Sequence, residues 1–183
     1  MPAPSAALKK AVKQLSEKEK EAWLLKALRR DAELQEMMAF ELEEVTLEEL
    51  TEEYQTRIKE LMDNTSGRSL PKSLAKSLRK SQKEITQFKR VTKDKTAEVN
   101  LHLFLLRMIF NNFSGPLNSY YKGFYTGTGR LLLRTINLIY KNLHEDYYLE
   151  YETELNEFLE NLRSRDNYYS TNLDLPKRFP EEF

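Results

Sequence analysis

The chain has 183 residues, of which 40% are hydrophobic and 11% aromatic, enough for one core and in most chains one domain. It contains no cysteine, which excludes disulfide staples and thiolate chemistry and fits a reducing, cytoplasmic setting. Its formal charge of zero hides blocks of −5 over residues 1–64, +7 over 65–100, +5 over 101–143 and −7 over 144–183, a pattern that bears on partners rather than on fold.

The N-terminal MPAPSAALKK lacks the apolar run of a signal peptide. Ser5 is placed to cap a first short helix, AALKKAVKQL, with Leu8, Ala11, Val12 and Leu15 on one face. Ser16 stands three residues before Glu19, a capping-box spacing that restarts the helix as Glu17–Arg30 and turns Trp23, Leu24, Ala27 and Leu28 inward. Asp31 caps a third helix reaching Glu44, with Leu34, Met37, Met38 and Leu42 as its inner face. Thr46 with Glu49 gives a second capping box, opening Leu47–Asp63 with the apolar stripe Leu47, Leu50, Tyr54, Ile58 and Leu61.

The run NTSGRSLP at 64–71 is the clearest loop and the one candidate for an internal boundary. Pro71 suits the first turn of the next helix, where its missing N–H costs nothing. Leu74, Leu78, Ile85 and Phe88 line one side of that helix, while Lys72, Lys76, Arg79, Lys83 and Arg90 line the opposite side. A break at Val91–Lys95 precedes LHLFLLRMIFNNF, Leu101–Phe113, which is apolar almost all the way round. A helix of that kind is wrapped by others or lies in a membrane. Its length falls short of the roughly 18–20 residues of a bilayer span, so it reads as the central buried helix, and no membrane segment is expected. Arg107 within it should find a carboxylate on a neighbouring helix or sit at the edge of the core.

Residues 117–130, with four aromatics and three of the five glycines, read as a short helical piece and a Gly-rich turn. Arg130–Leu143 is again apolar and should pack on the central helix. Glu145–Arg163 is amphipathic, burying Tyr148, Tyr151, Leu155, Phe158, Leu159 and Leu162 under an acidic outer face. The tail 166–183 is irregular, with Tyr168, Tyr169, Phe179 and Phe183 available to dock on the helices.

Two stretches, ALKKAVKQLSEKEKEAWLLKALRRDAEL (7–34) and SLRKSQKEITQFKRVTKDKTAEVNLHLFLLRMI (77–109), resemble a family of uncharacterised bacterial all-helical proteins known only as a domain of unknown function. In that family a lysine-rich helix leads through Leu-Ser into a leucine-rich one, and a basic helix ending in Phe-Lys precedes a long apolar helix. The resemblance implies an all-α fold, with HEAT-like stacking of helix pairs as one form of it, and no activity.

The candidate chemistries are few. His102 reads as a hydrogen-bonded core residue and His144 as a helix-end residue, because neither gathers the three or four ligands a metal site needs. The carboxylates Glu41, Glu43, Glu44, Glu48, Glu49, Glu52 and Glu53 read as a solvated face and not as an acid–base pair, which requires partial burial. Gly127-Thr128-Gly129-Arg130 offers backbone N–H groups for an anion near 120–130, but without a preceding strand or phosphate-loop spacing. The basic stripe Lys72, Lys76, Arg79, Lys83 and Arg90 is the sharpest feature. It could meet an acidic protein or follow a phosphate backbone, although no aromatics for base stacking are interleaved. Because the chain is neutral overall, the favoured reading of the stripe is a solvated face, or one set against the acidic helix 47–63 or the acidic last helix of the same or another copy.

The expectation is a single all-α domain over 1–183 of about seven or eight helices, a multi-helix bundle or stacked helix pairs. No catalytic, metal or cofactor site is expected. The leading function is a non-enzymatic interaction module for a protein partner. Nucleic-acid binding through the helix 71–90 is the alternative, and a small-ligand or enzyme site near 120–130 stands third.

Overall fold

The computed structural model describes residues 3–65, 69–165, 171 and 173–180. Among these residues the chain forms eight α-helices and two short 3-10 segments, with no strand, so the all-α expectation holds. The chain divides into two compact units, Met1–Val45 and Thr46–Phe183. The candidate sub-boundary at 64–71 does not coincide with this division. That loop, whose residues 66–68 lie outside the described set, joins two helices that pack along each other: the rings of Tyr54 and Phe88 meet edge to face at 5.3 Å between centroids. It is a connection inside one unit.

The first unit holds α1 (Ala6–Gln14), α2 (Glu17–Leu28) and α3 (Ala32–Glu41). Each begins on the residue its sequence specifies. Ser5 Oγ accepts from Leu8 N at 3.2 Å and Asp31 Oδ1 from Leu34 N at 3.1 Å. Ser16 N donates to Glu19 Oε2 at 2.8 Å, closing the capping box. The apolar faces, however, are not enclosed, and none of the three helices contains a buried residue. Trp23 and Leu42, expected inward, are 60% and 63% exposed, and Leu24 is also exposed. Ala27, Leu28, Leu34, Met37 and Met38 are half-buried. Trp23, Leu24 and Leu25 are consecutive and fan over a broad arc, which one short neighbouring helix cannot cover. The third helix stops at Glu41, short of Glu44, because the chain turns out of helix at Glu43, whose φ is 58°.

The second unit contains α4 (Leu47–Asp63), α5 (Leu70–Thr92), α6 (Lys95–Asn112), α7 (Gly123–Asn142) and α8 (Tyr148–Arg163). Short 3-10 segments precede the last two, at Gly115–Asn118 and Glu145–Tyr147. Helix α6 packs against α4, α5 and α7, and α8 packs on α7. Val99, Leu101, Leu103, Leu105, Leu106 and Ile109 of α6 are all at or below 1% exposure, as an all-round apolar helix requires. Asp94 Oδ1 accepts from Ala97 N at 2.7 Å, so the helix opens at Lys95 and the break after α5 shrinks to Lys93–Asp94. Arg107 meets the expected carboxylate: its Nε and Nη2 lie 2.5 and 2.7 Å from the two oxygens of Glu154 on α8. The pair sits at the edge of the core, with the Arg107 side chain 53% exposed.

Helix α7 starts at Gly123, seven residues before the expected Arg130, and the Gly-rich stretch is therefore helix interior and not a turn. Close packing selects these glycines. A Cβ at Gly127 would stand 2.9 Å from Leu78 Cδ2 of α5, and one at Gly129 would stand 2.5 Å from Leu173 Cδ1 of the C-terminal segment. Phe179 of the same segment is fully buried and exchanges two hydrogen bonds with the Asn156 side chain, at 2.7 and 2.8 Å. Its ring rests against Tyr140 and Tyr148. Tyr168, Tyr169 and Phe183 fall outside the described residues.

Candidate interaction surface

Helix α5 buries Leu74, Leu78, Ser81, Ile85 and Phe88, and this inner face fixes its outer one. Lys72, Lys76, Arg79, Lys83 and Arg90 are all exposed, and Lys80 joins them. The acidic residues of the same stretch point elsewhere. Glu84 lies 3.8 Å from Arg57 of α4, Asp94 caps α6, and Glu98, only 1% exposed, accepts from Lys89 Nζ at 2.9 Å. With the carboxylates of 65–100 committed in this way, the outer surface of α5 keeps the positive sign of its sequence block.

Helix α7, which packs on α5, carries a second basic row. Arg130, Arg134 and Lys141 are spaced four and seven residues apart, share one helical face and are exposed. Two contacts fix the relation of α7 to α5. Lys72 Nζ lies 5.5 Å from the ring centroid of Tyr121, just ahead of α7, and Leu78 fills the space left by Gly127. Both pairs advance six residues together, so the two helices run in the same direction. Further along, Arg134 of α7 and Lys89 of α5 both bear electrostatically on the buried His102 of α6. The row on α7 was not singled out in the sequence, where its three cations are dispersed among leucines and isoleucines.

His102 is 1% exposed, and its pKa falls from 6.5 to about 3, first through burial and then through the charges of Arg134 and Lys89. The expectation of a hydrogen-bonded core histidine is half corrected: it is in the core, but neither ring nitrogen hydrogen-bonds to another protein group. Ser81 Oγ and Glu98 Oε2 are buried in the same condition. Glu98 precedes His102 by four residues on the same face of α6, a spacing present in the sequence itself. Among the described residues no group of three or more His, Asp or Glu side chains converges as metal ligands.

The remaining candidates resolve simply. His144 is exposed, and its Nδ1 accepts from Asp146 N at 3.4 Å at the start of the short 3-10 segment. Glu41, Glu43, Glu44, Glu48, Glu49, Glu52 and Glu53 are all exposed, so they form the solvated face expected. Glu49 has its pKa lowered by the Thr46 backbone hydrogen bond and then by the Thr46 hydroxyl, which reflects capping. Gly127–Arg130 cannot act as an anion-binding turn, because its amides lie within helix α7. Among the described residues no helix is long and apolar enough to cross a membrane. No family model matches the chain, and no curated protein or solved structure matches it either.

Proposed function

We propose that the chain is a non-enzymatic interaction module whose basic α5–α7 face docks on the acidic surface of a protein partner. The observation that carries this reading is the exposure of Lys72, Lys76, Arg79, Lys83 and Arg90 while Glu84, Asp94 and Glu98 are engaged within the fold. Such a face steers association with an oppositely charged surface and rejects a like-charged one. The rigid helices beneath it hold the cations in fixed register.

The test is affinity capture with the full chain and with Lys76→Glu/Arg79→Glu/Lys83→Glu. The reading requires a specific protein partner that the triple variant loses while keeping wild-type circular dichroism. Equal capture by both chains would dismiss it.

Nucleic-acid binding is the second reading, favoured by the exposed basic rows on the packed helices α5 and α7. It requires retention on immobilised DNA that falls steeply with salt and is lost in the same triple variant. Salt-insensitive or absent retention removes it.

A further inference from the structure

Residues 173–180, LDLPKRFP, run outside every helix of the second unit, yet three of their side chains are sunk into it. Leu173, Leu175 and Phe179 are 8%, 6% and 0% exposed, while Asp174, Lys177 and Arg178 between them face solvent. Buried anchors spaced by outward residues are the pattern of an extended peptide lying in sockets. The helices build those sockets. Gly129 of α7 leaves the notch that Leu173 fills, since a Cβ there would stand 2.5 Å from Leu173 Cδ1. Tyr140 of α7 and Tyr148 of α8 hold the Phe179 ring, at 5.0 and 5.6 Å between centroids.

The polar contacts grip the main chain. The Asn156 amide donates to Phe179 O at 2.7 Å and accepts from Phe179 N at 2.8 Å, and Arg163 donates to Lys177 O. Hydrogen bonds of this kind serve the backbone of any peptide in the same path and leave side-chain choice to the sockets. Beside Lys177 and Arg178 opens a cleft of about 730 Å³, bordered by Glu152, Glu157 and Glu160 of α8. Glu152 pairs with Arg178 at 2.5 Å, and Glu157 and Glu160 are exposed. The site therefore selects apolar anchors, then a basic pair, then an aromatic residue.

We propose that this α7–α8 site is a peptide-recognition groove for a partner's extended segment of that chemistry, with leucine anchors, a basic pair and a buried aromatic residue. Residues 173–180 are its occupant within the chain and keep it filled until they are displaced. The helices can release them, because the hydrogen bonds to Phe179 and Lys177 come from side chains of α8 and not from a helical ladder. A tethered occupant competes at an effective concentration on the order of millimolar, so an incoming peptide gains when the chain's own segment is weakened. The inference is independent of the basic face on α5 and α7.

The test is fluorescence anisotropy of a labelled LDLPKRFP peptide titrated with the full chain and its variants. Phe179→Asp evicts the chain's own aromatic anchor, so that chain should bind the peptide at least ~10-fold more tightly than wild type. Leu173→Ala loosens the other end of the segment and takes its place if Phe179→Asp lowers the helical circular dichroism. Asn156→Ala added to either variant should abolish binding while the helical signal is kept. A peptide carrying Phe179→Ala should not bind, and one carrying Lys177→Glu/Arg178→Glu should bind ~10-fold more weakly. No saturable binding to either folded variant overturns the proposal, as does equal affinity for wild type or binding that survives Asn156→Ala. A wild-type dimer that Asn156→Ala dissolves would assign the groove to segments exchanged between copies, and overturns it too.

Discussion

Acidification from about pH 7.5 to about pH 5 should destabilise the wild-type chain by ~2 kcal/mol more than it destabilises His102→Leu. The imidazole titrates near 3 in the fold, where burial and the cations Arg134 and Lys89 disfavour its protonated form, against an ordinary value of 6.5 in the unfolded chain. Between those values the unfolded state binds a proton that the native state refuses. The His102 contribution is therefore fully present above 6.5 and is lost as the pH falls toward 3. At pH 5 the solution stands about 1.5 units below the unfolded pKa, and at ~1.4 kcal/mol per unit the loss is ~2 kcal/mol. All other ionisable groups are common to both chains and cancel in the comparison. The variant also removes two buried nitrogens that hydrogen-bond to no protein group, so near neutral pH it should be as stable as wild type or gain ~1 kcal/mol. Urea unfolding of both chains at the two pH values measures the difference. Parallel losses within ~0.5 kcal/mol would refute the reasoning, and would mean that the native imidazole takes its proton and pairs with Glu98 one turn earlier.

Other perturbations follow from the packing. Leu106→Ala in α6, where the residue is fully buried, should cost ~3–5 kcal/mol in urea unfolding, whereas Leu8→Ala in α1, 54% exposed, should stay within ~0.5 kcal/mol. Arg107→Ala breaks a two-point pair with Glu154 at a half-exposed position, so its cost should be only ~0.5–1 kcal/mol and should shrink in high salt. Gly129→Val drives a side chain into Leu173 and should speed proteolysis of residues 173–180, while Gly115→Ala, with no atom within 4 Å of the new Cβ, should leave the cleavage rate unchanged.

Local chemistry made much of this architecture legible in the sequence. Ser5, Ser16 with Glu19, Asp31, and Thr46 with Glu49 each satisfy backbone N–H groups three residues on, so the four helix starts could be read from spacing alone. The burial of α6 was equally plain, because a helix apolar on every side leaves no face for water. What the sequence concealed depends on distant neighbours. Gly127 and Gly129 have the local look of a turn, and only Leu78 and Leu173, far away in the chain, explain their place inside α7. Periodicity showed that α1–α3 are amphipathic, but it does not say whether anything covers the apolar side. The basic row of α5 stood out because its opposite face is cleanly apolar, while Arg130, Arg134 and Lys141 became visible only once α7 was set beside α5.

Lysine acetylation of the isolated chain, followed residue by residue, tests most directly whether the α5 face is open for recognition. Lys72, Lys76, Lys80 and Lys83 should react at the rate of unhindered surface lysines, and Lys89, held at 2.9 Å to the buried Glu98, should lag behind them. Slow labelling of Lys76 and Lys83 in the partner-free protein would mean that the chain's own acidic segments cover the basic face, contradicting the account.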